Sequence, residues 1–462
     1  MSELFFKTAT ELGRWVRTRK ISSVELTTLF LARLAECGPR YNALAELTRD
    51  RALKQARRAD RAVKAGERLA SPLWGVPYGA KDLLATKNIP TRWGSPAHRD
   101  QVFDYDATVI ARLRVAGMPL LGKLAMIELA GGGGYEFASA SLHGPGLNPW
   151  NVKHWAGGSS SGSGSAVAAG LVPFALGSET WGSIVTPATY CGVTGLRPTW
   201  GLVSRFGAME LAWTMDKVGP MARSAEDCGW VLQAIAGADL NDVTTLGNPR
   251  FHFTPRITRR DFRIGVLPAD FSDNPEIAKA FDEALRVLRR AGMKIARVDF
   301  PVLPFSEIAR TLLDGEMAAV HEELVTSGKV EQFGDVSQRD GLKKSIALTA
   351  AAYVRAQQQR ETLAPHVFAA LEPFDALVSP SIMSEAITLD TSLKTLVRKR
   401  GGYAVWGSLY GVPNLALPMG FGRQGLPLGI SLTGNLFDEN TLLQIGMLFQ
   451  RETDWHVRQP PV

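Results

Sequence analysis

Apolar residues follow a helical spacing in some segments of the chain and form short continuous runs in others. A helical pattern begins at Ser22, with a glutamate three residues later as in a capping box, and is predicted to end at Gly38. A second amphipathic helix is predicted over about 47–66. The apolar run 73–84 is predicted as a buried β-segment, although it contains Lys81.

Helices and strands continue to alternate to the end of the chain. The further predicted elements are a helix and a short strand within 106–122, a strand–helix–strand unit at 262–268, 276–291 and 293–300, helices over most of 305–370, a buried strand at 375–381, and a closing strand pair at 415–421 and 428–434. This alternation predicts an α/β fold, a sandwich around one large, mostly parallel or mixed sheet.

No internal repeat or linker-like segment divides the chain, so a single domain over 1–462 is predicted. Its parts are an N-terminal helical region (1–70), a core that holds the candidate catalytic residues (71–260), and the rest of the sheet with a helical subregion (261–462).

The stretch 156–207 begins with a Gly/Ser-rich run and carries almost no charge. Glu179 is the only charged residue between Lys153 and Arg197, whereas the overall charged fraction of 21% predicts about nine. Gly/Ser runs are often solvated linkers. This one leads into an apolar segment, AVAAGLVPFALG, that is suited only to burial. The stretch is therefore predicted to lie inside the protein, with the rest of the chain organised around it.

Composition narrows the class of protein. A hydrophobic fraction of 45% is typical of a globular protein with a large core. The net charge is +7, but the basic residues are dispersed and their densest group, 51–64, also contains Asp60, so nucleic-acid binding is not expected. No apolar run approaches the roughly 18 residues of a membrane span. Three separated cysteines without metal-ligand spacing favour a reducing, cytoplasmic location.

One candidate nucleophile is Ser160. The segment 158–162 matches the G-x-S-x-G elbow of an α/β-hydrolase-type esterase, with Asp438 and His456 as possible triad partners. That motif needs a strand directly before it, and 148–156 is a poor strand, so this alternative is disfavoured. The sequence contains no P-loop, zincin or Ser-x-x-Lys motif.

The other candidate is a site built on a lysine. Amide hydrolysis needs an activated nucleophile, an oxyanion-binding site and a proton donor for the amine. Lys81 could be the base if burial keeps its amine neutral near pH 7, and its apolar neighbours favour that. Ser183 lies in Thr-Trp-Gly-Ser-Ile, where successive backbone N–H groups could form an oxyanion nest. A small hydroxyl in the Gly/Ser run could relay the proton.

Segments across nearly the whole chain resemble those of the amidase signature family. They are GVPYGAKD at 75–82, GGSSSGSGSA at 157–166, the long segment 177–205, and further landmarks at 215–227, 425–434 and 437–443. The resemblance implies a three-layer α/β/α fold around a large mixed sheet, hydrolysis of amide C–N bonds, and neither a cofactor nor a metal.

The resemblance also assigns roles to individual residues. It implies that Ser183 is the nucleophile, that Ser159 is a bridging serine after a cis peptide bond, and that Lys81 is the base. The 24 residues from Ser159 to Ser183 match the family spacing. The expected oxyanion hole is formed by the N–H groups of Thr180, Trp181, Gly182 and Ser183, and supporting or substrate-binding positions are expected at Ser160, Gly131, Gly132, Gly133 and Val185.

Two positions depart from the family pattern. Trp181 stands where the family usually has glycine, and Val185 stands where it usually has arginine. Without that arginine, Glu179 is expected to lack its usual neighbour, in less cationic surroundings. Compensated repacking is one explanation. The functional explanation is a cleft that accepts uncharged, apolar or aromatic acyl or amine groups.

The expected function is a stand-alone serine amidohydrolase that cleaves amides, anilides or carbamates through an acyl-enzyme on Ser183. The glutaminase (A) subunit of tRNA-dependent amidotransferases shares these signatures, but 305–370 does not resemble that subunit's pattern. The expected partner is a small-molecule amide or carbamate, with no nucleic acid and no membrane, bound by a monomer or a homodimer.

Overall fold

Thirteen strands and thirteen α-helices are present in the computed structural model, which describes residues 2–394 and 403–461. The strands are β1 (Leu44–Leu47), β2 (Tyr78–Lys81), β3 (Leu120–Leu124), β4 (Leu147–Asn148), β5 (Asn151–Trp155), β6 (Phe174–Glu179), β7 (Thr194–Arg197), β8 (Lys217–Ala222), β9 (Arg263–Val266), β10 (Lys294–Arg297), β11 (Ala376–Pro380), β12 (Asn414–Phe421) and β13 (Pro427–Thr433). The helices are α1 (Ala9–Arg17), α2 (Ser23–Cys37), α3 (Arg49–Ala65), α4 (Thr108–Val115), α5 (Ser161–Ala168), α6 (Val185–Cys191), α7 (Ala225–Ile235), α8 (Pro275–Arg290), α9 (Phe305–Thr326), α10 (Val336–Ser345), α11 (Ala350–Leu371), α12 (Tyr403–Leu409) and α13 (Glu439–Arg451).

Eleven of the strands form one mixed sheet in the order β1-β3-β2-β6-β8-β7-β12-β13-β11-β9-β10. Strand β2 runs parallel to β3 and β6, and β9 runs parallel to β10 and β11. The other neighbouring pairs are antiparallel, including the closing pair β12–β13. Strands β4 and β5 pair separately. The predicted mixed sheet and closing strand pair are confirmed.

Helices cover both faces of the sheet. Gly195 of β7 faces α6, because a Cβ atom there would lie 2.7 Å from Ala188. Its register partner Ala416 shares that face, so the preceding residue, Leu415, points to the other one. Leu415 lies there against Gly446 of α13. The predicted three-layer α/β/α architecture is therefore confirmed.

The N-terminal part of the chain forms the predicted helices with shifted boundaries. Ser22 and Glu25 form a capping box at the start of α2, as the sequence pattern predicts. Helix α3 begins at Arg49 rather than near 47, because Leu44–Leu47 pairs with β3 as an edge strand. In the predicted β-segment 73–84, only Tyr78–Lys81 is a strand.

The Gly/Ser-rich run is a buried helix and not a linker. All residues of α5 are buried. Gly162 permits the close packing, since a Cβ atom there would lie 2.5 Å from the Ala43 carbonyl oxygen and 2.6 Å from the Ala125 backbone. The small side chains of the run therefore let α5 sit directly on the strands that carry the candidate site.

The predicted helical region 305–370 consists of α9, α10 and α11, and α9 brings side chains to the candidate site described below. None of the helices in the described part of the chain combines the length and apolar character that crossing a bilayer requires.

Candidate active site

A cavity of about 780 Å³ opens at the carboxyl-terminal ends of the parallel strands β2 and β6. Such ends are the usual position of ligand sites in α/β sheets. Its floor is the loop 180–183 between β6 and α6, which includes Ser183. Its apolar walls are formed by Trp181, Leu211, Leu313, Ile382, Met383, Leu393 and Val405, and its polar lining includes Asp270, Asp273, Glu307 and Arg310.

Lys81 and Ser159 meet directly behind this floor. Lys81, the last residue of β2, places its Nζ 2.7 Å from Ser159 Oγ and 2.9 Å from Ser178 Oγ. Ser178 lies on β6, the parallel neighbour of β2. The Gly158–Ser159 peptide bond is cis, as the family resemblance implies. Ser178 was not among the residues predicted for the site, although a serine near the end of a buried strand is a signal for one.

The environment of Lys81 favours its neutral form. The side chain is 0% exposed, and burial lowers the pKa of its ammonium group to about 7, against the opposing influence of Asp216 and Glu179. Both hydrogen-bond partners are hydroxyl groups, which carry no charge to stabilise an ammonium ion. A substantial neutral fraction is therefore present near pH 7, as a general base requires.

Exposure decreases from the cavity inwards. Ser183 is 8% exposed and lines the cavity, Ser159 is 1% exposed, and Lys81 is 0% exposed. The backbones of the two serine segments are joined by a hydrogen bond from Ser160 N–H to Ser183 C=O, at 3.3 Å. The Ser183 hydroxyl has no hydrogen-bond partner among the described residues, so it is free to meet a substrate.

Four consecutive N–H groups of the floor loop have no acceptor. Within residues 2–394 and 403–461, none of the N–H groups of Thr180, Trp181, Gly182 and Ser183 donates a hydrogen bond. Gly182 has a φ of +84°, which turns the loop at this point. Free N–H groups in such a turn form an anion-binding nest, the arrangement expected of an oxyanion hole.

Glu179 holds the end of this loop. Its Oε2 accepts hydrogen bonds from the N–H groups of Ile184 and Val185 at 2.8 and 3.0 Å, and its Oε1 lies 2.8 Å from Arg197 Nη1. Burial favours the neutral acid, but Arg197 and Lys217 hold the pKa of Glu179 below its ordinary value. Glu179 lacks the family's usual neighbour at position 185, as expected, but it has other cations nearby, Arg197 and Lys217. A buried carboxylate needs a partner, and Arg197, the first charge after the uncharged stretch, is that partner.

Two consecutive residues fix Thr180 at the start of the loop. Asp216 accepts hydrogen bonds from the Thr180 hydroxyl and from two backbone N–H groups, those of Leu211 and Ala212. Lys217 Nζ lies 3.5 Å from the Thr180 carbonyl oxygen. Neither residue was predicted for the site, although both fall in the family-like segment 215–227.

Comparison with known proteins identifies the family of the chain. The model of the Amidase family matches residues 25–443. The chain belongs to the amidase family. Among its curated relatives, the A subunit of glutamyl-tRNA(Gln) amidotransferase from Acinetobacter baumannii (strain AB0057) is 35% identical over 100% of this chain and 99% of its own length.

Solved structures agree with the family. The native peptide amidase of Stenotrophomonas maltophilia superposes with a TM-score of 0.88 at 33% identity, covering 99% of this chain and 98% of that one. The A subunit of glutamyl-tRNA(Gln) amidotransferase from Thermotoga maritima superposes with a TM-score of 0.80 at 26% identity, covering 97% and 95%. This amidase-family chain is accordingly an enzyme that hydrolyses amide C–N bonds.

The two residues that depart from the family pattern both line the cavity of this amidase. Trp181 is half-buried, and its ring lies 5.5 Å from the Arg310 guanidinium carbon, a distance at which a cation and an aromatic face attract. Val185 is buried beside the floor loop. The indole thus occupies the side of the cleft, and Arg310 of α9 provides a cation in the cavity lining.

The other predicted supporting residues divide into two groups. Ser160 joins the β6 strand to the floor, since its Oγ lies 3.2 Å from the Ser178 carbonyl oxygen and its N–H bonds to Ser183. Gly131 lines the cavity. Gly132 and Gly133 do not line it. At Gly133, a Cβ atom would lie 2.2 Å from the Gln338 carbonyl oxygen, so this part of the glycine run allows α10 to approach closely.

The structure does not bring together the alternative triad on Ser160. Ser160 is fully buried and does not line the cavity. Asp438 accepts a hydrogen bond from Thr441, and His456 lines a different cavity, beside α1. Among the described residues no hydrogen bond links Ser160, Asp438 and His456, so the serine elbow has no base here.

Proposed function

We propose that the chain is a stand-alone serine amidohydrolase in which Lys81, Ser159 and Ser183 carry out the reaction. The observation that carries this proposal is the buried contact of 2.7 Å between Lys81 Nζ and Ser159 Oγ, directly behind a cavity floor that contains Ser183. A neutral amine and a hydroxyl relay are the parts needed to activate a serine without histidine.

In the proposed cycle, neutral Lys81 takes the proton of Ser159 while Ser159 takes the proton of Ser183. Ser183 Oγ then bonds to the substrate carbonyl carbon, and the N–H groups of residues 180–183 hold the resulting oxyanion. The proton returns through Ser159 to the leaving amine as the C–N bond breaks. Water then attacks the acyl-enzyme by the same relay, which releases the carboxylic acid and restores Ser183. No cofactor enters the cycle.

The cavity supports a substrate with an apolar or aromatic group. Its volume of about 780 Å³ is in the range of drug-sized ligand sites and exceeds the needs of a simple aliphatic amide. Trp181, Leu211 and Leu313 give it apolar walls. We propose amides, anilides and carbamates as the substrate class, with esters as additional substrates because they are easier acyl donors.

The proposed setting is the cytoplasm, with the enzyme as a monomer or homodimer. Cys37, Cys191 and Cys228 are all free thiols, which suits a reducing compartment.

The test is labelling with a fluorophosphonate followed by peptide mapping. Label on Ser183, lost in the S183A variant, is the expected result. Label on Ser160 would instead favour the elbow alternative. Hydrolysis of an anilide by the isolated chain, abolished by S183A, is the matching expectation for activity.

A second candidate function is the glutaminase subunit of a tRNA-dependent amidotransferase. It is favoured by the 35% identity of this chain, over its whole length, to a protein of that name. The cavity lining also offers Arg310 for the carboxylate of glutamine, and Glu307 and Asp273 for its ammonium group. Glutaminase activity that appears only with co-purified partner subunits would favour this candidate over the stand-alone enzyme.

A further inference from the structure

A second, much smaller pocket adjoins the active-site cavity. It has a volume of about 20 Å³ and shares Gly182, Val185, Ser379 and Ser381 with the main cavity. A space of this size holds one water molecule or one non-hydrogen atom of a ligand. It therefore lies within reach of a substrate bound at Ser183.

The lining of this pocket is polar, although it lies in the interior of the sheet. Buried polar side chains form it: Glu179 of β6, Arg197 of β7, Ser379 of β11, Ser381 directly after β11, Asn414 of β12, and Ser431 and Thr433 of β13. They lie together because Asn414 is the register partner of both Arg197 and Thr433, and Ser379 is that of Ser431. Several of these side chains bond to one another, as buried polar groups require: Asn414 donates to Thr433 at 2.9 Å, and Ser431 lies 2.9 Å from Ser381 Oγ.

One donor in this lining has no acceptor. Arg197 is 2% exposed. Its Nη atoms are engaged by Glu179, Ser408 and the Val412 carbonyl, but its Nε is buried without a partner among the described residues. A buried N–H group without an acceptor is unfavourable, because it has lost its hydrogen bonds to water and gained none in the protein. The lining of the pocket thus includes an arginine with one donor that has no acceptor among the described residues.

The chemistry of the relay indicates which part of a substrate reaches the pocket. The leaving amine must lie next to Ser159, from which it takes its proton, and Gly158 lines the main cavity on that side. Residues 157–160 are absent from the lining of the small pocket, which instead borders Gly182 of the floor loop and Val185, the first residue of α6. The small pocket therefore adjoins the cavity away from Gly158, the side on which the leaving amine takes its proton.

We propose that this pocket is an acyl subsite for a single hydrogen-bond-accepting atom, an ether, keto or hydroxyl oxygen close to the scissile carbonyl. This inference rests on the proposed function, because it takes Ser183 as the nucleophile. Val185 lines both the pocket and the cavity, so a longer side chain at this position would take up space that the two share. Valine at 185 is then a specificity-determining residue that leaves the subsite open.

The experiment compares methoxyacetanilide with butyranilide, two substrates that differ by one oxygen in place of one methylene. The ratio of their kcat/KM values is measured in the wild-type enzyme and in R197K and S379V. R197K keeps a cation beside Glu179 and removes the Nε–H group, whereas S379V replaces a pocket hydroxyl with methyl groups. R223K is the matched control, because Arg223 is also a buried arginine that binds backbone carbonyls, at Val167 and Ala168.

The expected result is a preference for the ether that falls about tenfold in R197K and in S379V and is unchanged in R223K. The difference in intrinsic reactivity between the two anilides cancels when the ratios of different enzymes are compared, since that difference is the same for every enzyme. An equal ratio in all four enzymes would show that a retained water fills the pocket or that no acyl group reaches it, and the subsite would be wrong while the proposed function stands. Absence of turnover together with absence of fluorophosphonate label on Ser183 would overturn both.

Discussion

Lys81 and Lys123 lie on neighbouring parallel strands and are both fully buried, but only Lys123 contacts a carboxylate. Lys123 Nζ is 3.2 Å from Asp82 Oδ1, whereas the partners of Lys81 are the hydroxyls of Ser159 and Ser178. The same residue type in the same layer is thus used in two ways. Lys123 belongs to a buried ion pair, whereas Lys81 is an amine that contacts no carboxylate within the part of the chain that the structure describes.

This difference predicts opposite results for the same substitution. K81M is expected to fold stably, because methionine fills the buried volume. It is expected to lower kcat/KM for amide hydrolysis by a factor of about 10²–10⁴, because methionine cannot accept a proton. K123M is the matched control and is expected to be destabilised, because it leaves Asp82 buried without its partner. Anilide hydrolysis and urea denaturation of both variants measure this. A K81M enzyme within tenfold of wild-type activity would exclude Lys81 as the base.

The rate is expected to rise with pH through the neutral range. Burial lowers the pKa of Lys81 to about 7, and only its neutral amine can accept the proton of Ser159. The value of kcat/KM should therefore increase about tenfold per pH unit below 7 and level off above it. A profile of kcat/KM between pH 5 and 9 with an anilide checks this. A flat profile over that range would contradict it.

The same pKa predicts how stability depends on pH. In the unfolded chain Lys81 has an ordinary pKa of about 10.4, so between about 7 and 10.4 the unfolded state holds a proton that the folded state lacks. The free energy of unfolding should therefore rise with pH across this window and be flat below it, as far as Lys81 contributes. The contribution is isolated as the difference between wild type and K81M in urea midpoints at pH 6 to 10. A difference that does not change with pH would argue against a neutral Lys81.

The helices and strands of the fold and the central residues of the site could be predicted from the sequence, because they depend on local sequence patterns. The capping box before α2 and the burial of the Gly/Ser-rich α5 follow from side-chain chemistry within a few residues. The pairing of β7 with β12, which places Arg197 beside Asn414, joins segments over 200 residues apart. No local pattern specifies such a register.

The cation beside Glu179 could not be predicted for the same reason, because it comes from a distant part of the chain. The family pattern suggested an arginine two residues after Ser183 as its neighbour, and valine there predicted less cationic surroundings. The cation comes instead from Arg197, at the end of another strand. Physical reasoning demands a partner for a buried carboxylate but does not say which one. For the same reason, the sequence did not predict that Asp216 and Lys217 lie next to Thr180.

The Glu179–Arg197 pair is expected to support both stability and catalysis. E179Q removes the charge opposite a buried guanidinium and should lower the free energy of unfolding by about 3–5 kcal/mol. It should also reduce kcat more than it raises KM, because Glu179 positions the backbone on either side of the floor loop. E283Q is the control, because Glu283 is in exposed pairs with Arg286 and Arg290 and should change stability by no more than about 1 kcal/mol. Equal stability of the two variants would mean that the buried pair has no special role.

Trp181 is expected to set the preference for aromatic substrates. W181G restores the residue usual in the family and keeps the backbone N–H group, so the oxyanion site should remain. It removes the indole wall beneath Arg310 and should lower kcat/KM for an anilide about tenfold relative to a short aliphatic amide. W213G is the matched control, because Trp213 is exposed and lies outside the cavity lining. If W181G lowers kcat/KM for the two substrates equally, the indole acts on the loop rather than on the substrate, and the proposed aromatic specificity loses its structural basis.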